Sequence, residues 1–260
     1  MPDTAHADTG HADTAHADTG HPDTGHPDTG HPAAAPVLSP ELIARMTARR
    51  GTAHPFGRLD PARTALVVID MQNGFLLPEA GYVAIPAALE IIPAINRAAG
   101  ALRAAGGRVV WIVTSHLPET PEDWSVNCGA LMRDGGAARA AALAPGSFGH
   151  ALHDGLAVDP ADDIVEKTRF SCFLPGTCDL PERLRAAGID SVAIAGTATN
   201  VCCESSARDA MMLNFRTVML SDANAAMSEA EHRAALTGFY THFGDVLTVA
   251  EFQAALAASA

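Results

Sequence analysis

From Thr64 onward the chain alternates short apolar runs with longer segments of helical spacing. The apolar runs are Thr64–Asp70 (TALVVID), Arg108–Thr114 (RVVWIVT), Asp163–Lys167 (DIVEK), Ser191–Gly196 (SVAIAG), Arg216–Ser221 (RTVMLS) and Asp245–Val249 (DVLTV). Apolar continuity, rather than strict alternation, predicts strands covered on both faces. Helical spacing occupies Ile85–Ala105, closed by Gly106-Gly107, then Leu180–Ala187, closed by Gly188. It returns around Cys202, over Glu229–Phe239 and from Ala250 to the end. Leu117–Gly149 mixes Pro and Gly with polar residues and reads as loop and short helix laid over a site. Buried strands separated by helices predict an α/β fold, doubly wound, with a six-stranded parallel sheet, over about residues 60–258.

Two segments precede this domain. In Ser39-Pro40-Glu41 a capping side chain, a first-turn proline and a first-turn acid announce a helix that runs to about Arg50 and stops at Gly51. Residues 37–59 are thus a helical extension, packed on the domain or on a neighbouring subunit. Before it, Pro2–His31 is a run of [AP]-D-T-[AG]-H pentapeptides with His at 6, 11, 16, 21, 26 and 31. The repeat holds no large apolar residue and its period matches neither helix nor strand. Residues 1–36 are therefore expected to be a disordered, solvated tail, weak metal binding by its histidines being the alternative.

Composition narrows the possibilities. Hydrophobic residues make up 48% of the 260 and charged residues 18%, enough apolar material for a sizeable core. With 17 basic against 30 acidic residues the net charge is −13, which argues against nucleic acid and anionic membranes as partners and mildly favours a cationic small substrate. The five cysteines, Cys128, Cys172, Cys178, Cys202 and Cys203, include no CxxC pair. Neither a disulfide scaffold nor a zinc ribbon fits, and a reduced cytoplasm is the expected compartment. No signal-peptide pattern and no long apolar span is evident.

Open parallel sheets bind ligands beyond the carboxyl ends of their strands. Three residues fall there: Asp70 closing the first run, Lys167 closing the third and Cys202 just after the fourth. Lys167 is the only lysine among the 17 basic residues, so a task that a bulky, permanently charged guanidinium cannot perform is expected of it. The stretch Gly196–Ala210 (GTATNVCCESSARDA) leads from strand into helix. Thr199 or Asn200 is expected to cap that helix. A thiol at a helix N-terminus is expected to be biased toward thiolate, and the free N–H groups of Ala198 and Cys202 to form an oxyanion hole. The set suits acyl transfer. Cys202 attacks a carbonyl carbon, Asp70 relays the proton to the departing amine, and Lys167 lowers the thiol pKa and orients the carboxylate.

The segments Asp70–Phe75 (DMQNGF), Lys167–Ser171 (KTRFS) and Gly196–Ala210 resemble the three signatures of the isochorismatase-like cysteine hydrolases, over about Leu59 to Phe252. The resemblance implies a Rossmann-like α/β/α sandwich, a homodimer or homotetramer, the triad Asp70, Lys167 and Cys202, and a cis peptide between Thr197 and Ala198. Cys202 stands where isochorismatases proper lack the nucleophile, which points to C–N hydrolysis of a small amide. The nicotinamidase-type Asp-x-His metal motif is absent, since that place reads Thr114-Ser115-His116-Leu117, and no metal or cofactor is expected. The motifs look nearest to the ureidoacrylate and biuret amidohydrolase branch. In that branch a polar residue after the fifth strand helps hold the ureido group, and only Asn224 is polar there. Streptothricin hydrolase, a member that opens a cyclic amide, is a further candidate resemblance. Gln72, Asn73, Phe75, Trp124, Phe170 and Phe173 are the expected pocket walls. A non-catalytic binding or regulatory member of the same fold, or an isochorismatase- or nicotinamidase-type activity, is the alternative.

Overall fold

The computed structural model describes residues 37–132 and 136–259; the repeat tail lies outside them. Helix α1 (Pro40–Arg50) begins at Ser39, whose hydroxyl accepts from Leu42 N–H, and ends at Gly51 with φ +81°. Strand β1 (Thr64–Ile69) follows, then α2 (Asn73–Leu76), α3 (Ile92–Ala104) and β2 (Arg108–Thr114). The segment between β2 and β3 (Asp163–Lys167) carries the short helices α4 (Thr120–Asp123) and α5 (Gly136–Ala142), with a π-helical turn at Val126–Leu131 between them. The remainder alternates α6 (Leu180–Ala186), β4 (Ser191–Thr197), α7 (Glu204–Met212), β5 (Arg216–Ala225), α8 (Glu229–His242), β6 (Asp245–Leu247) and α9 (Val249–Ala257).

All strand pairings are parallel and the order is β3-β2-β1-β4-β5-β6. Chain order reverses direction between β1 and β4, so the switch point at which such sheets bind ligands lies where Asp70 and the Cys202 turn emerge. Alternation along β1 builds two cores. Leu66 and Val68 pack with Ile95 and Leu102 of α3 and Phe252 of α9 on one face. Ala65, Val67 and Ile69 pack with Leu184 of α6, Ala207 of α7 and Phe239 of α8 on the other. A side chain of this size contributes about 1.5–3 kcal/mol when fully buried, so both faces of β1 are strongly committed.

The strands agree with the apolar runs, β2 and β3 to the residue. Two elements differ. The helix expected over Ile85–Ala105 is a 3-10 turn at Pro86–Ala88 followed by α3 from Ile92, because Pro86 and Pro93 cannot donate to a preceding turn. Strand β5 runs on to Ala225, past the expected Ser221, because its register shifts between Ile194 and Gly196 of β4. Asn224 fills that irregularity: its Nδ2 donates to the carbonyls of Ile194 (2.9 Å) and Leu220 (2.7 Å).

Leu42 and Met46 of α1 are buried in the second core, and Arg50 bonds the Tyr240 carbonyl. Just beyond α1, His54 Nδ1 lies 3.0 Å from Oδ1 of the fully buried Asp245, whose Oδ2 accepts from Phe56 N–H. The Asp245 hydrogen bond raises the His54 pKa, with burial opposing it. A raised histidine pKa stabilises the fold fully below the unfolded value, about 6.5, and the contribution fades as pH rises through the folded value. The melting-temperature gap between wild type and His54→Gln is accordingly expected to be larger at about pH 6 than at about pH 8.5 in paired thermal melts.

Candidate active site

Strand β1 ends because Asp70 turns into the left-handed region, φ +53°, a conformation that Asp tolerates better than most residues. Its backbone is held on both sides: Asp70 N–H donates to Ile112 O (3.0 Å), and Thr197 Oγ1 donates to Asp70 O (3.0 Å). The carboxylate is fully buried. Oδ2 accepts from Lys167 Nζ at 2.9 Å and Oδ1 from Thr114 Oγ1 at 2.8 Å. Thr114 Oγ1 in turn accepts from Lys167 Nζ at 2.5 Å, and the ammonium makes a third bond to Arg169 O at 3.2 Å. Three protons thus meet three acceptors around one nitrogen. Burial, the largest single influence, would lower the Lys167 pKa; the charges of Asp70 and Cys202 and the Asp70 hydrogen bond together outweigh it, and the ammonium is raised above its ordinary value. A guanidinium could not place three bonds around one atom in this space, which accounts for lysine at a position of an otherwise arginine-only chain.

The second half of the site grows from β4. Gly196 adopts φ +116° against the Ile69 backbone, where any Cβ would collide. The Thr197–Ala198 peptide is cis, as the family resemblance implies. A π-helical turn, Thr199–Cys203, then precedes α7. The Ala198 carbonyl accepts from Val201 N–H (3.0 Å) and Cys203 N–H (3.2 Å). No side chain caps this turn, contrary to the expectation for Thr199 or Asn200. The Thr199 hydroxyl is engaged elsewhere, with His232 Nδ1 at 2.8 Å, and Asn200 Oδ1 is buried without a hydrogen-bond partner.

Cys202 is 4% exposed and its thiol reaches both Asp70 and Lys167. Burial, then the Asp70 charge, push its pKa up, with Lys167 opposing. The expected bias toward thiolate is thus corrected: burial and the Asp70 charge raise the thiol pKa despite the neighbouring ammonium. Its neighbour Cys203 is fully buried in the second core and is raised further by burial.

The expected pocket walls divide. Trp124 meets Phe170 edge-on, centroids 4.7 Å apart, and carries Arg169 on its face, so these two aromatics form a patch beside the Lys167 strand. Phe75 packs edge-on against Tyr82 at 4.9 Å. Gln72 is corrected from wall to brace. It is fully buried, its Nε2 donates to Thr114 O (3.1 Å) and His150 O (2.8 Å), and its Oε1 accepts from Thr114 N–H (2.8 Å). Asn73, also buried, donates to Phe148 O at 3.1 Å and anchors the same loop. Phe173 is corrected as well: it is fully enclosed in the second core against Phe215. The Nδ2 of Asn224, the candidate ureido holder, is engaged by the β4–β5 irregularity described above.

Thr114, Tyr82, Asn127 and Arg139 lie near the site without having been expected there, beside His116, which reads from the sequence as a polar wall residue. Thr114 is the most direct, and its position as the last residue of β2 places it on the ligand edge. Tyr82 stacks edge-on with His116 at 5.7 Å, and the two line a small cavity with Asn127 and Arg139. Burial, then the charges of Cys202 and Asp70, push the Tyr82 phenol up to about 12. Burial, then Lys167, lower the His116 pKa. Arg139 pairs with no carboxylate among the described residues, and its guanidinium donates to Met132 Sδ. Among the described residues no three His, Cys, Asp or Glu side chains gather as a metal site, and no helix is long and apolar enough to cross a membrane.

A parallel sheet in this order, covered by helices on both faces and with a buried Asp–Lys pair and a cysteine turn at its switch point, is an α/β fold of the isochorismatase-like kind. Residues 64–251 match the isochorismatase domain, and the chain belongs to that family. It is 37% identical over 212 residues to the ureidoacrylate amidohydrolase RutB of Methylobacterium radiotolerans, covering 76% of this chain and 81% of that one. The RutB of Azorhizobium caulinodans is also 37% identical, over 75% of this chain and 90% of its own. Among solved structures, a cysteine hydrolase from Pseudomonas syringae superposes with a TM-score of 0.67 at 31% identity, covering 77% of this chain and 95% of that one. The chain is an amide-bond hydrolase.

Proposed function

We propose that the enzyme hydrolyses a C–N bond of a small amide or ureide through a thioester on Cys202, with Asp70 as proton relay and Lys167 as its partner. The observation that carries this reading is the fully enclosed Asp70–Lys167 pair, 2.9 Å apart, in reach of the Cys202 thiol. As Cys202 Sγ bonds the carbonyl carbon, its proton passes to Asp70 and the carbonyl electrons move onto oxygen. The N–H groups of Ala198 and Cys202 face that oxyanion. Collapse breaks the C–N bond, and the amine leaves with the proton from Asp70. Water then adds to the thioester and gives Asp70 a proton, which returns to sulfur as the C–S bond breaks. A neutral resting thiol fits this sequence, because proton removal is coupled to attack. Lys167 stays protonated throughout and fixes the carboxylate.

The cavity beside the site bears on the substrate. Among the described residues its lining includes Tyr82, His116, Asn127 and Arg139 but no carboxylate, so Arg139 is the one formal charge among them. That wall favours a substrate carrying a carboxylate, against the mild preference for a cation suggested by net charge alone. The relatives named for ureidoacrylate support the same direction. The test is amine or ammonia release from linear ureides, each offered as carboxylate and as neutral amide. Arg139→Gln is expected to raise KM for the carboxylate form about 10- to 100-fold, the worth of a charged hydrogen bond. Its kcat, and the kinetics on the neutral form, should hold within about threefold. Equal KM values on both forms in wild type would overturn the carboxylate assignment.

A further inference from the structure

A threonine at the start of a helical turn ordinarily turns its hydroxyl inward and accepts from the N–H two or three residues on. For Thr199 the third N–H is that of Cys202, the donor that the proposed oxyanion hole needs. Left to local preference, the sequence T-N-V-C would therefore occupy its own oxyanion donor. The structure does not show this. Thr199 is fully buried, no side chain caps the turn, and its Oγ1 lies 2.8 Å from His232 Nδ1 on α8. The two backbone bonds that close the turn on the Ala198 carbonyl come from Val201 and Cys203 and also pass over Cys202. His232 is itself 7% exposed. The hydroxyl and Nδ1 share one hydrogen bond, which holds Oγ1 toward α8 and away from the turn. Burial keeps the ring neutral by lowering its pKa.

We infer that His232 is a positioning residue for the proposed reaction: by hydrogen-bonding the Thr199 hydroxyl it holds Oγ1 away from the Cys202 N–H, which stays free for the oxyanion. The inference rests on the thioester reading above. It requires the Thr199 hydroxyl to be harmful once His232 is gone, whereas a purely structural role requires it only to be unsupported.

The experiment is a steady-state comparison of five proteins on one turned-over ureide: wild type, His232→Gln, His232→Asn, Thr199→Val, and His232→Gln combined with Thr199→Val. Glutamine removes the ring nitrogen that partners Thr199; asparagine keeps a polar atom near the position of Nδ1. Loss of one oxyanion donor costs about 10²–10³ in kcat, so His232→Gln is expected to lose at least about 10-fold in kcat with KM within about threefold. His232→Asn and Thr199→Val are expected within about threefold of wild type. The double variant, which has no hydroxyl to recapture the N–H, is expected to recover to within about threefold. An unchanged kcat in His232→Gln, or a double variant no better than His232→Gln, overturns the inference. The same comparison on His232→Leu covers a glutamine variant that does not fold. Cys202→Ala assayed alongside separates the two readings: turnover surviving there overturns the thioester, not the role of His232.

Discussion

Cys202→Ala is expected to lose turnover by about 10⁴-fold or more, the usual consequence of deleting a covalent nucleophile, while Cys203→Ala retains most of it. The two thiols are adjacent in sequence and both buried, yet their surroundings differ. Cys202 reaches Asp70 and Lys167. Cys203 lies among Ala207, Ala210 and Leu236 in the second core. Its removal deletes one sulfur from a packed interior and is expected to cost about 1 kcal/mol of stability, read as a few degrees in a thermal melt, with little change in kcat. The paired assay, ammonia release against folded protein by circular dichroism, separates these outcomes. A dead Cys203→Ala beside an active Cys202→Ala would move the nucleophile by one residue and with it the whole turn.

Lys167→Met is expected to be the most damaging substitution for the fold as well as for the chemistry. It removes the cation from a fully enclosed pair and leaves Asp70 and Thr114 to face apolar surroundings. Breaking a buried ion pair from one side costs about 3–5 kcal/mol, a large share of a typical domain's stability. Lys167→Arg is expected to fail too, because the planar fork cannot reproduce three bonds converging on Nζ. Denaturant unfolding measures the first loss and turnover of the surviving folded fraction the second. A Lys167→Met protein as stable as wild type would show that the pair contributes nothing to holding Asp70.

Much of this architecture was legible in the sequence, for reasons that can be located. Strands β2 and β3 and helix α1 have their expected limits because each is bounded by local chemistry: the Gly106-Gly107 stop before β2, Ser39 and Gly51 around α1. The convergence of Asp70, Lys167 and Cys202 was legible because a parallel sheet sends every strand's carboxyl end to one edge. What escaped the sequence depends on partners distant along the chain. The cap expected at Thr199 is diverted by His232, thirty-three residues on. The thiolate expected at Cys202 gives way to burial, which no local pattern reports. Gln72 reads as a polar wall until Thr114 and His150 are seen to engage its amide. Tyr82 and Arg139 reach the site from loop and short helix, where periodicity carries no information about direction.

The central claim is the thioester, and partitioning by hydroxylamine tests it most directly. During turnover of a ureide, hydroxylamine added in increasing amounts should intercept the acyl group on Cys202 and yield an N-hydroxy product at the expense of the hydrolysis product, while amine release continues at an unchanged rate. Hydrolysis that proceeds with no N-hydroxy product at any hydroxylamine concentration would contradict the account and leave direct attack by water in its place.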